Sequence, residues 1–373
     1  MRLIKSFDDD NNFYNAIVPL TIDISEVVFV YSHDIDVNRA KTVEKVIRKH
    51  KDLKITFKKV NEETLYKLLD EDCLVDISAS KYISIILHEA AIRKNLTVLY
   101  FDRENQIIRN ANRHENYINH VFNFKIEDII TLGGGKIISH LHKPIEDDNT
   151  RLMVNKTIEY ACNDYPSFIA LVSKINSIIS SVPKINESFI LNDQLKQKII
   201  CDENYLKFKE LNLFTIEDNE LIFYNKEINE LFKVSGSFLE NYIYQTLVES
   251  KIFDDVLMSV TIEFGSYTCD YPVRCELDAL VLKDNKLIFT SIKSNKVEVM
   301  DLNEIKVHNV MFGNQLSKSL ICTMNDLNKK RPGVYAKAED LGVYIIDQTA
   351  FLEKTLTENV LSIINGTYKY ETI

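Results

Sequence analysis

The chain has 373 residues, long enough for two or three domains, and 45% of them are apolar, as in a folded globular protein with an ample core. Its formal net charge of −10 argues against a protein that coats nucleic acid non-specifically, but it leaves open a site whose charge is local. No run of about 18 apolar residues suggests a membrane span, and the six scattered cysteines indicate reduced thiols in the cytoplasm.

Residues 1–145 alternate short apolar strands with helices. The predicted strands are RLIKSF, EVVFVYS, KITFKKV, CLVDIS and LTVLYFD, and helical apolar spacing occurs between them at 36–50 and 81–95. Such a series predicts a parallel sheet with helices on both faces, a Rossmann-like domain. In sheets of this kind ligands bind at the carboxyl ends of the strands.

Three of these strand ends carry polar side chains: the acidic run Asp8–Asp10, the stretch Tyr31-Ser32-His33-Asp34, and the stretch Ser78-Ala79-Ser80-Lys81. In the last, small residues before a helix let backbone N–H groups approach an anion, the helix dipole favours it, and Lys81 adds a positive charge. The alternative is that Ser80 only caps the helix. The acidic run suits ribose hydroxyls better than phosphate, or is simply solvated.

Residues 146–232 are mostly helical and end in a short hairpin around Asp218-Asn219. Helices followed by a two-stranded wing are typical of a winged-helix unit, and a plain helical connector has the same pattern. The glycine run at 133–135 predicts the exit from the first domain.

Residues 233–373 predict a mixed α/β domain. Its first helix has one buried apolar face with Glu240 beside it, and CELDALVLKDNKLIFTSIKS at 275–294 predicts a hairpin with Asp284-Asn285 as its turn. In that register Asp278 faces Ser291 and Glu276 faces Lys293, and all four side chains share one face of the hairpin.

Two carboxylates and a lysine on one face suit a phosphodiesterase that uses a divalent metal. Mg²⁺ and Mn²⁺ take oxygen ligands, and a lysine stabilises negative charge and positions water. The alternative is an ordinary face of cross-strand ion pairs.

A helix glutamate, a strand aspartate and a lysine on the next strand resemble the PD-(D/E)xK nuclease core, here as Glu240, Asp278 and Lys293. The segments GSFLE, ELDALVLKDNKLIFTSIK and LNEIKVHNVMFGNQLSKSLICT resemble the nuclease half of the Card/Can-type CRISPR ancillary nucleases. The segments DISASK, VVFVYSHD and IEDIITLGGGK resemble their CARF half, the sensor domain. The likeness covers essentially the whole chain in the same order.

The resemblance implies a CARF-like sensor domain at 1–145, a helical or winged-helix-like connector at 146–232 and a restriction-endonuclease-like α/β nuclease domain at 233–373. It implies a homodimer whose sensor domains bind a cyclic oligoadenylate, with cyclic tetra-adenylate expected. The nuclease domains would then cleave DNA or RNA with Mn²⁺ or Mg²⁺ in type III CRISPR antiviral defence.

The resemblance also assigns residues by position. The implied ligand contacts are Asp8, Asp10, Ser32, His33, Ser78, Ala79, Ser80 and Lys81. The implied catalytic residues are Glu240, Glu276, Asp278 and Lys293, and the implied metal ligands are Asp278, Glu240 and the carbonyl of Ile292.

The sequence departs from the family pattern at two places. Residues 78–80 keep small hydroxyl side chains but lack the glycines, and Ser291 occupies the position two before the lysine where the general motif has an acid. Three explanations are open. The missing carboxylate is supplied by Glu276, Glu304 or Glu263; or Asp278, the Ile292 carbonyl and waters are enough to hold a hydrated Mg²⁺; or the site is inactive. In the last case the chain is a catalytically silent, nucleotide-responsive regulator that binds DNA through residues 146–232.

Overall fold

The computed structural model describes residues 1–78, 82–141, 145–185, 188–234, 236–265 and 272–369. The predicted ligand residues Ala79, Ser80 and Lys81 lie outside the described residues. Within these ranges no helix has both the length and the apolar character needed to cross a membrane.

The N-terminal part folds in chain order as β1 (Arg2–Ser6), α1 (Asn12–Thr21), β2 (Glu26–Tyr31), α2 (Val37–His50), β3 (Lys54–Lys59), α3 (Glu62–Leu68), β4 (Cys73–Asp76), α4 (Tyr82–Arg93), β5 (Thr97–Asp102), β6 (Ile107–Asn110), β7 (Glu115–Ile118) and α5 (Ile126–Leu132). The strands form one sheet, the N-terminal sheet, in the order β3-β2-β1-β4-β5-β6-β7. Strands β1 to β5 run parallel, whereas β6 and β7 are antiparallel additions. The five predicted strands and the two predicted helices are confirmed, and the Rossmann-like topology places the carboxyl ends of β1 and β4 side by side.

Three helices of this part, α1, α3 and α5, were not predicted. Helix α1 contains Pro19 in its last turn, a residue that normally argues against a helix because it lacks the N–H of the ladder. The helix forms nonetheless because Asn11 caps its first turn and a buried face of apolar side chains packs into the core.

The middle part forms α6 (Asp148–Ala161), α7 (Tyr165–Ile179), β9 (Lys184–Ile185), β10 (Ser188–Ile190), α8 (Asp193–Ile200), α9 (Tyr205–Glu210), β11 (Phe214–Glu217), β12 (Glu220–Phe223) and α10 (Lys226–Lys233), which follow a strand β8 (Gly135–Leu141). Its strands pair in the order β11-β12-β10-β9, and Glu217 pairs with Glu220 across the predicted two-residue turn. The run from α7 through β10, α8 and α9 to the β11–β12 wing is the winged-helix order of elements.

The C-terminal part forms α11 (Ser237–Glu249), β13 (Asp255–Phe264), β14 (Val273–Lys283), β15 (Lys286–Lys293), α12 (Val299–Phe312), β16 (Lys318–Thr323), α13 (Leu327–Lys330), α14 (Pro332–Leu341), β17 (Val343–Ile346), α15 (Gln348–Leu352) and α16 (Leu356–Asn365). Its sheet, the C-terminal sheet, has the order β17-β16-β15-β14-β13-β8.

Strand β8 does not follow the expected domain division. It lies before residue 145, yet it pairs with β13 and forms the edge of the C-terminal sheet. The glycine run at 133–135 explains the crossing. A Cβ on Gly133 would lie 2.5 Å from the Phe312 carbonyl oxygen, and one on Gly135 would lie 2.8 Å from the Ile262 side chain. The chain therefore leaves the N-terminal sheet at these glycines and passes directly against α12 and β13.

The hydrophobic cores also cross the expected domain boundaries. One continuous core joins the N-terminal part to one face of the C-terminal sheet through Phe29, Phe124, Leu277 and Phe289. A second core joins the middle part to the other face through Phe168, Phe238 and Ile288. The C-terminal sheet is therefore packed on both faces, which makes it a rigid support for the side chains at its strand ends.

Candidate functional site

The hairpin β14–β15 has the predicted register. Asp284 and Asn285 form its two-residue turn with φ values of 49° and 59°, the backbone of a type I′ hairpin turn. Pairing runs from Lys283 with Lys286 to Ala279 with Thr290, which directs Asp278 and Ser291 to the same level of the hairpin.

Asp278 lies where the ladder between the two strands opens. Its carboxylate accepts a hydrogen bond from the backbone N–H of Ile292 at 2.6 Å and one from the Ser291 hydroxyl at 3.2 Å. In a continued antiparallel ladder that N–H would bond to the carbonyl of Leu277 instead. Ser291, at the position where the nuclease motif has an acid, thus helps to orient Asp278.

The backbone of β13 is irregular beside Asp278. Met258 and Val260 pair with Ala279 and Leu277, and Ser259 between them has a φ of 50°, which is uncommon for a residue with a side chain. The pairing of β13 with β8 shifts register at the same place. Such bulges re-aim side chains at the ends of sheets and are frequent beside active sites.

Glu240 stands in the first turn of α11, half-buried near the hairpin. Burial, together with the negative charges of Asp278 and Glu276, raises the pKa of Glu240 to about 7. Burial also raises the pKa of Asp278, although the Ile292 N–H and the charge of Lys293 oppose the rise. The site therefore gathers carboxylates whose ionisation is unfavourable without a compensating cation.

Lys293 ends β15, and its ammonium forms an ion pair of 3.0 Å with Asp301 in the first turn of α12. Burial by itself would lower the pKa of Lys293, but the bond to Asp301 and the charges of Asp278 and Glu304 raise it. Glu276, which was expected to face Lys293 across the hairpin, has an exposed side chain, and its backbone lies opposite Thr261 in the pairing of β14 with β13. Asp301 was missed because it follows an irregular loop that the hairpin register does not reach.

The other expected carboxylates are placed less favourably. Glu263 forms an ion pair of 3.0 Å with Arg274. Glu304 is exposed one turn after Asp301, where its charge acts on Lys293, Cys275 and His308.

The donor set suits a hard, hydrated cation. Among the described residues no three His, Cys, Asp or Glu side chains are grouped to hold a metal ion. Two carboxylates whose pKa values are raised, Glu240 and Asp278, with the carbonyl of Ile292, leave most coordination positions to water, as Mg²⁺ tolerates. A cation there would relieve the cost of two partly buried negative charges.

The described members of the second set of predicted residues, those expected to contact a ligand, lie at the carboxyl edge of the N-terminal sheet. Ser32, His33 and Asp10 are exposed there. Asp8 is only 7% exposed, and its carboxylate accepts the backbone N–H of Asp10, so it shapes the loop after β1. Ser78 donates both its N–H and its hydroxyl to Asp76 at the end of β4.

A buried ion pair supports this edge and was not predicted. Lys5 and Asp76 sit opposite each other on β1 and β4, both side chains are 0% exposed, and they form a direct ion pair. Asp76 thereby joins Lys5 to the backbone and hydroxyl of Ser78. The signal in the sequence was a lysine and an aspartate at matching positions of two otherwise apolar parallel strands.

A cleft of about 1000 Å³ lies beside this edge, between the N-terminal part and α12. Its walls include residues 10–13, the start of α2 from Asp36 to Thr42, and residues 306–317 of the C-terminal part. Asn12 lines it with a buried side-chain oxygen that has no hydrogen-bond partner among the described residues, while its amide nitrogen donates to the Leu132 carbonyl.

No protein-family model and no curated protein sequence matches the chain. Among matching solved structures, protein VC1899 from Vibrio cholerae has a TM-score of 0.77 and 14% identity, over 98% of each chain. Can2 from Sulfobacillus thermosulfidooxidans, solved in complex with cyclic tetra-adenylate, has a TM-score of 0.73 and 14% identity, over 98% of this chain and 97% of that one.

A third structure is a type III CRISPR defence DNA nuclease activated by cyclic oligoadenylate, with a TM-score of 0.51 and 13% identity over 96% of this chain and 52% of that one. At such identities the matches establish the fold. The chain therefore shares the fold of VC1899 and of Can2 over almost its whole length, with a Rossmann-like N-terminal domain, a winged-helix-like connector and a mixed α/β C-terminal domain.

Proposed function

We propose that this chain is a metal-dependent nuclease that cleaves DNA or RNA when cyclic tetra-adenylate binds, as part of type III CRISPR antiviral defence. The observation that carries the proposal is the gathering of Glu240, Asp278 and Lys293 at the open end of one hairpin, with the pKa of both carboxylates raised. The similar folds of Can2 bound to cyclic tetra-adenylate and of a cyclic-oligoadenylate-activated DNA nuclease support the choice of activator and reaction.

In this proposal Glu240, Asp278 and the Ile292 carbonyl hold Mn²⁺ or Mg²⁺. When bound, the metal supplies an activated water and charge stabilisation for phosphodiester hydrolysis. Ser291 and the Ile292 N–H fix the orientation of Asp278. Lys293, kept charged by Asp301, offsets the negative charge that develops on the phosphate in the transition state.

The activator is proposed to bind at the carboxyl edge of the N-terminal sheet, with contacts from Asp10, Ser32, His33 and the segment 78–81. Helix α4 begins at this edge, and backbone N–H groups at a helix start favour phosphate. The buried Lys5–Asp76 pair fixes the position of Ser78, because Asp76 accepts the Ser78 N–H.

We also propose that the active form is a homodimer. A cyclic activator with rotational symmetry is held best by two copies of one pocket. Tyr82, Ile85 and Ile92 are exposed along one side of α4 at 62%, 67% and 48%, an apolar strip beside the ligand edge that a second copy would cover.

The experiment combines binding and cleavage. Calorimetry with cyclic tetra-adenylate, against linear tetra-adenylate as control, should show binding of the ring at one molecule per two chains. Single-stranded DNA, duplex DNA and RNA are then incubated with Mn²⁺, with and without the ring, while light scattering on the same samples should give the mass of two chains. Binding without cleavage of any substrate would instead support the silent, DNA-binding regulator, which Ser291 and the winged-helix order of the connector favour.

The pH dependence of metal binding follows from Glu240. Its pKa of about 7 means that protons compete with the cation below pH 7. Between pH 6 and pH 8 the apparent affinity for Mn²⁺ should rise about tenfold, because the ionised fraction of such a group rises from about a tenth to about nine tenths. Calorimetric titration at the two pH values measures this. In Glu240→Gln this rise in affinity between pH 6 and pH 8 should disappear. An equal rise in that variant would contradict the assignment of Glu240 as a metal ligand.

Gly236 is expected to matter for activity through Glu240. A Cβ at position 236 would lie 2.9 Å from the nearer carboxylate oxygen of Glu240 and 3.7 Å from the Ser294 hydroxyl. Gly236→Ala should therefore displace the end of that flexible side chain and slow cleavage about ten- to a hundredfold, with the thermal midpoint nearly unchanged. The matched control is Gly333→Ala, where a Cβ would meet nothing within 4 Å. Equal rates in the two variants would show that Glu240 does not need its present position.

A further inference from the structure

Asn285 lies in the turn of hairpin β14–β15, yet it is bonded to the N-terminal part of the chain. It is 1% exposed. Its side-chain oxygen accepts the Phe124 N–H at 2.9 Å, and its amide donates to the Phe122 carbonyl at 2.9 Å and to Gln106 at 3.3 Å. A residue needed only to form a tight turn would not require three partners from loops of the N-terminal part.

The end of α12 meets the hairpin at the same point. The Asn314 amide donates to the carbonyl of Asn285 at 3.2 Å. The next residue, Gln315, accepts hydrogen bonds from the Tyr14 hydroxyl at 3.0 Å and from Arg103 at 3.1 Å. Tyr14 belongs to α1, the helix that follows the proposed ligand loop, and Gln315 lines the cleft opposite residues 10–13.

Both elements that meet at Asn285 lead to the candidate catalytic site. Strand β15 runs about 25 Å from the turn to Lys293, and α12 runs back about 17 Å from Phe312 to Asp301. Their far ends are tied together by the Lys293–Asp301 ion pair. The hairpin and α12 are thus joined at both ends. At one end they are bonded to each other and to the N-terminal part through Asn285, and at the other they are joined by the ion pair of Lys293.

We propose that Asn285 is a positioning residue through which the N-terminal part sets the position of Lys293 and Asp278, so that occupancy of the ligand edge controls cleavage. This inference rests on the proposed function. A shift of α1 on ligand binding would move Gln315, because Tyr14 of α1 bonds to it. The same shift would move the turn through Phe124, which bonds to Asn285 and packs against Phe13 of α1 with the ring centroids 5.2 Å apart. When two sites are coupled, binding at one commonly changes the affinity at the other by a factor of about 5–150.

The test is Asn285→Gly, which separates coupling from turn formation. Asp-Gly is a favoured sequence for a type I′ turn, so the hairpin should be kept while all three side-chain bonds are lost. The matched control is Asn219→Gly in the Asp218-Asn219 turn of the middle part, which is exposed. The measured quantity is the stimulation ratio, the cleavage rate with saturating cyclic tetra-adenylate and Mn²⁺ divided by the rate with Mn²⁺ alone.

Asn285→Gly should lower the stimulation ratio about fivefold or more, while activator affinity by calorimetry changes little and Asn219→Gly behaves as wild type. Tyr14→Phe, which removes one bond at the same junction, should lower the ratio in the same direction and serves if Asn285→Gly fails to fold. Wild-type ratios in both junction variants would overturn the inference alone. A wild-type protein without stimulation would overturn the proposed function, and this inference with it.

Discussion

Replacing Asp278 by asparagine is expected to abolish Mn²⁺-dependent cleavage, with a loss of at least about a thousandfold. The substitution keeps the size and one acceptor oxygen but removes the negative charge that a hard cation requires. The oxygen can still accept the Ile292 N–H, so the open end of the hairpin should persist. Cleavage rates of wild type and Asp278→Asn under saturating activator measure the effect.

The same variant should not lose stability. Because burial raises the pKa of Asp278, the ionised carboxylate weakens the fold as pH rises through that pKa, and a neutral side chain removes this penalty at neutral pH. The thermal midpoint should therefore stay the same or rise. Asp340→Asn on the surface of α14 is the matched control, since its side chain is 73% exposed. Full activity in Asp278→Asn would reduce the hairpin face to an ordinary set of polar contacts.

Replacing Lys5 by methionine is expected to destabilise the protein by about 3–5 kcal/mol, because it leaves Asp76 buried without its cation. Urea unfolding followed by circular dichroism measures the change. Adding Asp76→Asn should restore most of the loss, since asparagine is neutral and can still accept the Ser78 N–H. Activator affinity should fall in Lys5→Met because Asp76, which holds Ser78, loses its partner.

The control for Lys5 is Lys54→Met. Lys54 also sits on a strand of the N-terminal sheet and pairs with Glu26, but its side chain is 72% exposed. Removing an exposed pair should change stability by about 1 kcal/mol or less. If Lys5→Met were no more harmful than Lys54→Met, the buried pair would have no special role under the ligand edge.

The sequence predicted those features that depend on local pattern. Apolar runs with β-branched residues marked β1 to β5, and two turn residues fixed the register that brings Asp278 level with Ser291. Short-range rules suffice here because strand alternation and hairpin turns are set by neighbouring residues.

Features that depend on contacts between distant segments were missed or misplaced. Lys293 pairs with Asp301 instead of Glu276, because the ladder opens beyond Ala279 and α12 approaches from another direction. Strand β8 joins the C-terminal sheet because glycines permit close packing that no periodicity reports. The three bonds of Asn285 to the N-terminal part could not be read from a turn that looks complete in itself.

The most direct test of the proposed function is the cleavage rate of the wild-type protein with Mn²⁺, in the presence and absence of cyclic tetra-adenylate. We expect the ring to raise the rate at least about tenfold on one of the three nucleic-acid substrates, and chelation of the metal with EDTA to abolish cleavage. Cleavage at the same rate without the ring, or no cleavage of any substrate with ring and metal present, would contradict the proposed function.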